Sequence, residues 1–387
     1  MQDLLYICIK NPFTQRDLDR MGIEALERHF EVRILDCTAW LMPKAYETRG
    51  RSTITRHNLR SIHSLRELKD ELRDVHGGFA IDYVGQFSAQ AVLLFNLLKS
   101  KGLKLIAIDN VAFPSPELAT GGRSAVKKLL NAIRYGGLRR HLNARIIKWL
   151  LKCLPDQTPD YALVSGTSWT ADPRFSGAAK IIPAHSFDYE RYLELRGAPR
   201  FLNHDYAVYV DEDIAGHEDN AEIGFKMPVS AERFYSALSR FLGAFEAAVG
   251  IPVVVAGYPS DRAAATGRFN GRKVIWGKTA ELIRHASVVF AHASTAISYA
   301  VLWRRPLVFL TTNEMNESWY GPWMEAPRKV LNASIANLDQ DVPGPLTVAE
   351  WQRVDERAYK HYEGTYLRSA EAPDESLWSI FLSVKKA

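Results

Sequence analysis

Residues 273–312, KVIWGKTAELIRHASVVFAHASTAISYAVLWRRPLVFLTT, decide the fold class. Ser287–Ala291 is a short β-rich apolar run, His292-Ala293-Ser294-Thr295 follows at its carboxyl end, and Ala296–Trp303 has helical composition. Arg305–Leu310 is a second strand that carries Pro306 near its start, where an inner strand tolerates it. Strand, polar turn, helix, strand is the repeating unit of an α/β protein. Ser294 or Thr295 is expected to cap the helix. Backbone N–H groups at a helix N-terminus are unpaired and carry partial positive charge, so hydroxyls placed there suit a phosphate. Most Ser-Thr pairs before an apolar helix are caps and nothing more. Here two neighbours point to a ligand: Gly277-Lys278-Thr279 opens the preceding helix, and His292 sits at a strand end, where ligands collect in open sheets.

On the amino side, the strand Ala207–Val210 runs into Asp211-Glu212-Asp213, followed by His217-Glu218-Asp219. The helix Ala231–Val249, the strand Pro252–Ala256 and the loop at Tyr258-Pro259 complete a second βαβαβ series. Acids in such a loop can hold a divalent metal, act as a general base or only be solvated; Asp211 and Glu212, nearest the strand end, are the candidates for chemistry. The first half alternates in the same way. Leu4–Ile9, Val32–Leu35, Phe79–Tyr83, Lys104–Ile108, Tyr161–Ser165 and Lys180–Pro183 read as strands, with helices over Thr14–His29, Leu65–Val75 and Phe87–Lys101 and a polar loop over Gly166–Gly177. Asp82 and Asp109 fall at strand ends. Residues 1–190 are therefore expected to form one Rossmann-like domain with a basic helical insertion at 118–155. Residues 205–346 form a second, and 347–387 add helices over Val348–Tyr362 and Glu375–Val384.

At 387 residues the chain suits two cores rather than one. Cys8, Cys37 and Cys153 show no paired spacing, which argues for a reducing compartment and against a zinc site. Met1–Lys10 contains Asp3 and turns at once into strand, and no apolar run reaches the roughly 20 residues of a membrane span, so a cytoplasmic protein is expected. The net charge of +5 is uneven: Leu118–Pro155 holds nine Lys and Arg and no acid, leaving −4 for the rest. Arg123–Lys152 thus reads as basic amphipathic helix broken at Gly136-Gly137, with an anionic membrane surface as a partner. No nucleic-acid reading motif is present. No G-x-G-x-x-G follows the first strand, so neither a nicotinamide nor a flavin cofactor is expected. Gly271 lies one residue too far from Gly277-Lys278-Thr279 for a P-loop, and G-x-S-x-G, H-E-x-x-H and kinase signatures are missing.

Two α/β domains with a phosphate site in the second are what a GT-B glycosyltransferase needs. Residues 207–312 resemble bacterial surface-carbohydrate glycosyltransferases of this type, including the sialyltransferase and Kdo-transferase kinds that use CMP-activated acidic sugars. Those enzymes carry a His-Pro pair after one strand and a Ser-Ser/Thr pair after a later one, both near the nucleotide; Ser294-Thr295 matches the second, and Tyr258-Pro259 stands at the first with Tyr for His. The run from Thr279 to Thr312, with YVDEDIAGHED at 209–219, also resembles a group from capsule and lipopolysaccharide clusters. The resemblance implies a GT-B fold, two Rossmann-like doubly wound domains facing an interdomain cleft, with the first on the acceptor side and the last helix crossing back to it. It implies metal-independent transfer of a sugar, from a CMP-linked acidic donor slightly before a UDP-sugar, to a surface-polysaccharide or lipid-linked glycan, at the cytoplasmic side of the inner membrane. Ser294, Thr295, His292, Lys278, Thr279, Tyr258 and Pro259 are expected around the donor, and Asp211, then Asp82, with Glu212, as candidate bases. A nucleotide-sugar epimerase of the same fold and a non-catalytic sugar-nucleotide or polysaccharide binding subunit are the alternatives.

Overall fold

The computed structural model describes residues 2–49, 52–109, 113–116, 138–155, 158–216, 229–258 and 265–386. Thirteen strands among them form two sheets. The first contains β1 (Asp3–Ile9), β2 (Phe30–Asp36), β3 (Leu59–Ser61), β4 (Gly78–Asp82), β5 (Leu103–Ile108), β6 (Tyr161–Ser165) and β7 (Lys180–Ala184), in the order β3-β2-β1-β4-β5-β6-β7. The second contains β8 (Ala207–Val210), β9 (Val253–Gly257), β10 (Val274–Trp276), β11 (Val289–Ala291), β12 (Leu307–Thr311) and β13 (Ser334–Asn337), in the order β10-β9-β8-β11-β12-β13. Every pairing within the two sheets is parallel.

Parallel sheets need both faces covered, and the strands supply apolar side chains to both. Along β1, Leu5, Ile7 and Ile9 enter one core and Tyr6 and Cys8 the other. The helix Ala231–Val249 buries Phe234, Leu238, Phe241, Leu242 and Phe245, a stripe at helical spacing, and stops at Gly250 in the left-handed region. In both sheets the earliest strand lies inside and later strands extend either way from it. The order therefore reverses between β1 and β4, and between β8 and β11, and the carboxyl ends of those pairs are where an open α/β sheet takes ligands.

Several boundaries differ from the sequence reading. Thr14–His29 is two helices, Gln15–Arg20 and Ile23–Glu27, because the chain turns at Gly22, φ +61°, under the Trp378 indole. Gly166–Gly177 contains two short turns of helix, Ser168–Ala171 and Pro173–Ser176. Val348–Tyr362 is also divided, into Pro345–Trp351 and Glu356–Tyr362, since Asp355 starts a new helix by accepting from the Ala358 amide. The edge strands β3 and β13, and the helices Phe187–Leu195, Asn313–Glu317 and Tyr320–Leu331, are elements that the sequence reading does not place.

After the second sheet the chain returns to the first. Thr167 N donates to Thr365 O at 3.0 Å, Ser186 N to Leu367 O at 2.8 Å and Ser369 N to Ala184 O at 3.0 Å. The last helix, Leu377–Lys386, then lies on the first sheet: Trp378 Nε1 donates to Met21 O at 2.7 Å, and the Phe381 ring meets Phe79 and Tyr161 edge-on. Among the described residues no helix is long and apolar enough to cross a membrane.

Candidate functional site

A cleft of about 450 Å³ lies between the two sheets. Its second-sheet wall is made of strand ends: Val210-Asp211 after β8, Gly257-Tyr258 after β9, Gly277-Lys278-Thr279 after β10 and Ser294-Thr295-Ala296 after β11. Its first-sheet wall comes from the helices Gln15–Arg20 and Phe187–Leu195 and includes Arg16, Arg20, Asp188 and Arg191. Asp211, Tyr258, Lys278, Thr279, Ser294 and Thr295 are thereby brought to one surface. Pro259 lies outside the described residues. Another depression, about 570 Å³, sits against Asp3, Arg33, Glu71 and His76, at the amino ends of the first-sheet strands and away from this cleft.

Asp211 is buried, and both its oxygens accept from backbone: Oδ1 from Asp213 N at 3.0 Å and Oδ2 from Tyr258 N at 3.4 Å. Burial pushes its carboxyl up to about 6, against the opposing pull of those two amides. The turn after β8 sends the next two acids elsewhere. Asp213, in the left-handed region at φ 47°, pairs with Arg268 at 3.0 Å and accepts from the Tyr235 hydroxyl at 3.3 Å. Glu212 points inward, its Oε2 accepting from the Tyr320 hydroxyl at 2.9 Å, and that hydroxyl in turn accepts from Ala293 N at 2.9 Å. Burial first, then the Asp211 charge, raises the Glu212 carboxyl to about 8, although the Tyr320 and Ser294 hydroxyls favour its charged form. Glu212 Oε1 has no hydrogen-bond partner among the described residues. Glu212 thus stands behind the 292–296 turn rather than in the cleft. Among the described residues no three His, Cys, Asp or Glu converge as a metal site.

His292 is in the core, not the cleft. Nδ1 meets Leu310 O at 2.7 Å and Nε2 meets the Tyr209 hydroxyl at 3.1 Å, so the neutral ring donates to the first and accepts from the second. Burial holds it down to about 4. Both ring nitrogens are used in fixing the end of β11 against β8 and β12.

The 294–296 turn differs from the expected cap. The helix is Ile297–Leu302 with Ala296 at the cap position; Ser294 Oγ accepts from Ala296 N at 3.3 Å, two residues on. A hydroxyl engaged that way closes a local turn and leaves the helix to begin through bonds from Ile297 N to Ser294 O and Ser298 N to Thr295 O. Thr295 is exposed and Ser294 half-buried at the cleft. Lys278 caps Thr279–Ile283 by position, and its ammonium reaches Glu281 at 3.0 Å. The strand end at Gly257 must be glycine, because a Cβ there would lie 2.6 Å from Trp276 Nε1. That indole N–H is buried without a hydrogen-bond partner among the described residues, beside the cleft-lining Gly257.

Sequence reasoning missed the opposite wall. Ser186 accepts from Tyr189 N at 3.3 Å and starts the helix Phe187–Leu195, whose first turn is acidic at Asp188 and Glu190. A Ser cap followed by acids is the signal that could have found it. Arg20 lies over the Phe187 ring at 5.5 Å and 3.5 Å from Asp188, and Arg191 crosses the cleft to Glu281 at 2.8 Å. Asp82 does not face this cleft. It ends β4, accepts from Val84 N and Gly85 N at 2.9 and 2.6 Å, and is raised by burial against the opposing charge of Arg174. Asp109 nearby is pushed up to about 6 by burial and accepts from the Ser165 hydroxyl at 3.2 Å.

No protein-family model and no curated protein matches the chain. Among solved structures, the glycosyltransferase of kitacinnamycin aligns over 100% of this chain and 99% of its own at 12% identity, with a TM-score of 0.53. A putative UDP-N-acetylglucosamine 2-epimerase from Listeria monocytogenes aligns over 100% and 96% at 10% identity with a TM-score of 0.48, and Acinetobacter baumannii MurG over 100% and 100% at 10% with a TM-score of 0.43. Identity of 12% speaks for shared architecture and leaves substrate open. Two Rossmann-like domains, built on parallel sheets of seven and six strands and facing each other across a cleft, give this chain the GT-B fold.

Proposed function

We propose that the protein is a glycosyltransferase that moves a sugar from a nucleotide donor to a glycan acceptor in the cleft between its two sheets. The observation that carries this reading is the composition of one surface: Ser294, Thr295, Thr279 and Lys278 line the same cleft as the buried Asp211. Departure of a nucleotide from a sugar leaves negative charge on phosphate, and fixed hydroxyl donors with a cation stabilise charge that develops there. The acceptor hydroxyl must lose a proton as it attacks. Asp211, raised to about 6, is ionised near neutral pH yet basic enough to take it.

A CMP-linked acidic sugar is the preferred donor, before a UDP-sugar. Its sugar carboxylate would find Arg16 on the facing wall, which is exposed and makes no ion pair among the described residues. The acceptor is a surface polysaccharide or a lipid-linked glycan. Incubation with CMP- and UDP-sugars, with and without an acceptor panel, tests the reading by product analysis. Nucleotide release that requires acceptor, with a new glycosidic bond, is the expected result. An isomerised donor in the absence of acceptor would make the protein an epimerase, and donor retention without turnover would make it a binding subunit.

A further inference from the structure

The helix Leu138–Cys153 contains Arg139, Arg140, Arg145, Lys148 and Lys152 and no acid. It packs on the helix Ala89–Ser100, toward which Ile147 and Leu150 are half-buried. Its other side chains from Arg145 onward face outward, and Ile146, Trp149 and Leu151 are 49, 62 and 39% exposed. At about 100° per residue, Arg145, Lys148, Trp149 and Lys152 share one stripe, with Ile146 and Cys153 along its margin. Among the described residues Trp149 is the most exposed aromatic side chain of the large apolar ones, and it stands between cations.

We propose that this face docks the protein on an anionic lipid surface. An amphipathic helix of this kind lies in the plane of the interface: the indole and the aliphatic chains enter the headgroup boundary while Lys and Arg meet lipid phosphates. The combination selects among partners. Nucleic acid would answer the cations and could stack on Trp149, but it has no use for Ile146 and Leu151. A second copy of the same face is disfavoured because two acid-free cationic surfaces repel. Docking of this face is independent of the donor chemistry, since the face lies outside the cleft.

Co-sedimentation with phosphatidylcholine vesicles containing phosphatidylglycerol, beside phosphatidylcholine alone, tests it. The unmodified protein should pellet with the anionic vesicles at low salt and be released as salt rises. Arg145→Gln/Lys148→Gln/Lys152→Gln should partition roughly a hundredfold more weakly, and Trp149→Ser at least about tenfold. Both variants should keep the thermal transition of the unmodified protein, because the changed side chains are exposed. Protein that stays in the supernatant at low salt overturns the proposal. So does equal binding to phosphatidylcholine alone, undiminished binding by both variants, or a dimer in solution that Trp149→Ser dissociates.

Discussion

Asp211, Glu212 and Asp213 are adjacent in sequence and separate in role. One carboxylate faces the cleft, the next is enclosed behind the Ser294 turn, and the third is tied to Arg268. Only the first lines the cleft. Asp211→Asn should lower kcat by about a hundredfold or more while donor affinity stays within a few-fold. If Asp211 is the proposed base, kcat of the unmodified protein should fall as pH drops through about 6, where Asp211 takes up its proton. Normal turnover in Asp211→Asn, with loss in Asp82→Asn, would move the base to the first sheet. Glu212 behaves in the opposite sense. Its carboxyl is raised by burial from 4.5 to about 8, so the folded state holds a proton that the unfolded state releases. The contribution of this group to stability is therefore favourable at low pH and declines as pH rises from about 4.5 to about 8, a tenfold difference in proton affinity between the two states being worth about 1.4 kcal/mol. Glu212→Gln keeps an acceptor for the Tyr320 hydroxyl and cannot ionise. Urea unfolding across that window should show a flatter pH dependence in Glu212→Gln; an identical slope in both proteins would show that Glu212 is not buried neutral.

At the scale of elements, strongly periodic or fully buried segments are readable from sequence and those shaped by distant contacts are not. Ala207–Val210, Tyr161–Ser165 and Ala231–Val249 fall where hydrophobic pattern alone puts them. Three residues at β3 and four at β13 carry too little pattern to stand out from loop. The helix Tyr320–Leu331 is masked by Pro327, which the sequence reads as a breaker. Strand ends attract ligands, and that rule alone puts His292 beside the donor; what decides its place is the pair of partners on β8 and β12, and neither is visible from its neighbours in sequence. The cleft's second-sheet hydroxyls are legible as a motif, while Arg16, Asp188 and Arg191 belong to the site only through folding of the first half. Gly22 shows the same dependence. Its break in the first helix makes sense once Trp378, from the far end of the chain, is seen 2.8 Å from where a Cβ would stand. Gly22→Ala meets both a left-handed backbone and that ring, and should cost about 1–3 kcal/mol. Denaturant titration should show the loss shrinking when Trp378→Ala is added, since the two sites are in contact. Full stability in Gly22→Ala would mean that the last helix does not dock tightly.

The whole molecule is two parallel sheets, with strand ends of the second facing helices of the first, joined by the crossing at 363–369 and bridged across the opening by Arg191 and Glu281. One half brings hydroxyls, Lys278 and a carboxylate; the other brings Arg16 and Arg20 on a short capped helix. The proposed glycosyl transfer requires that the cleft take a nucleotide. Calorimetric titration with CMP, UDP, GDP and CDP, in the unmodified protein and in Ser294→Ala/Thr295→Ala, measures that directly. Saturable binding of at least one nucleotide is predicted, with CMP preferred. The double variant should bind it about tenfold or more weakly, with an unchanged thermal transition in the absence of ligand. No binding of any of the four, or equal affinity in the folded double variant, would contradict a nucleotide site in the cleft.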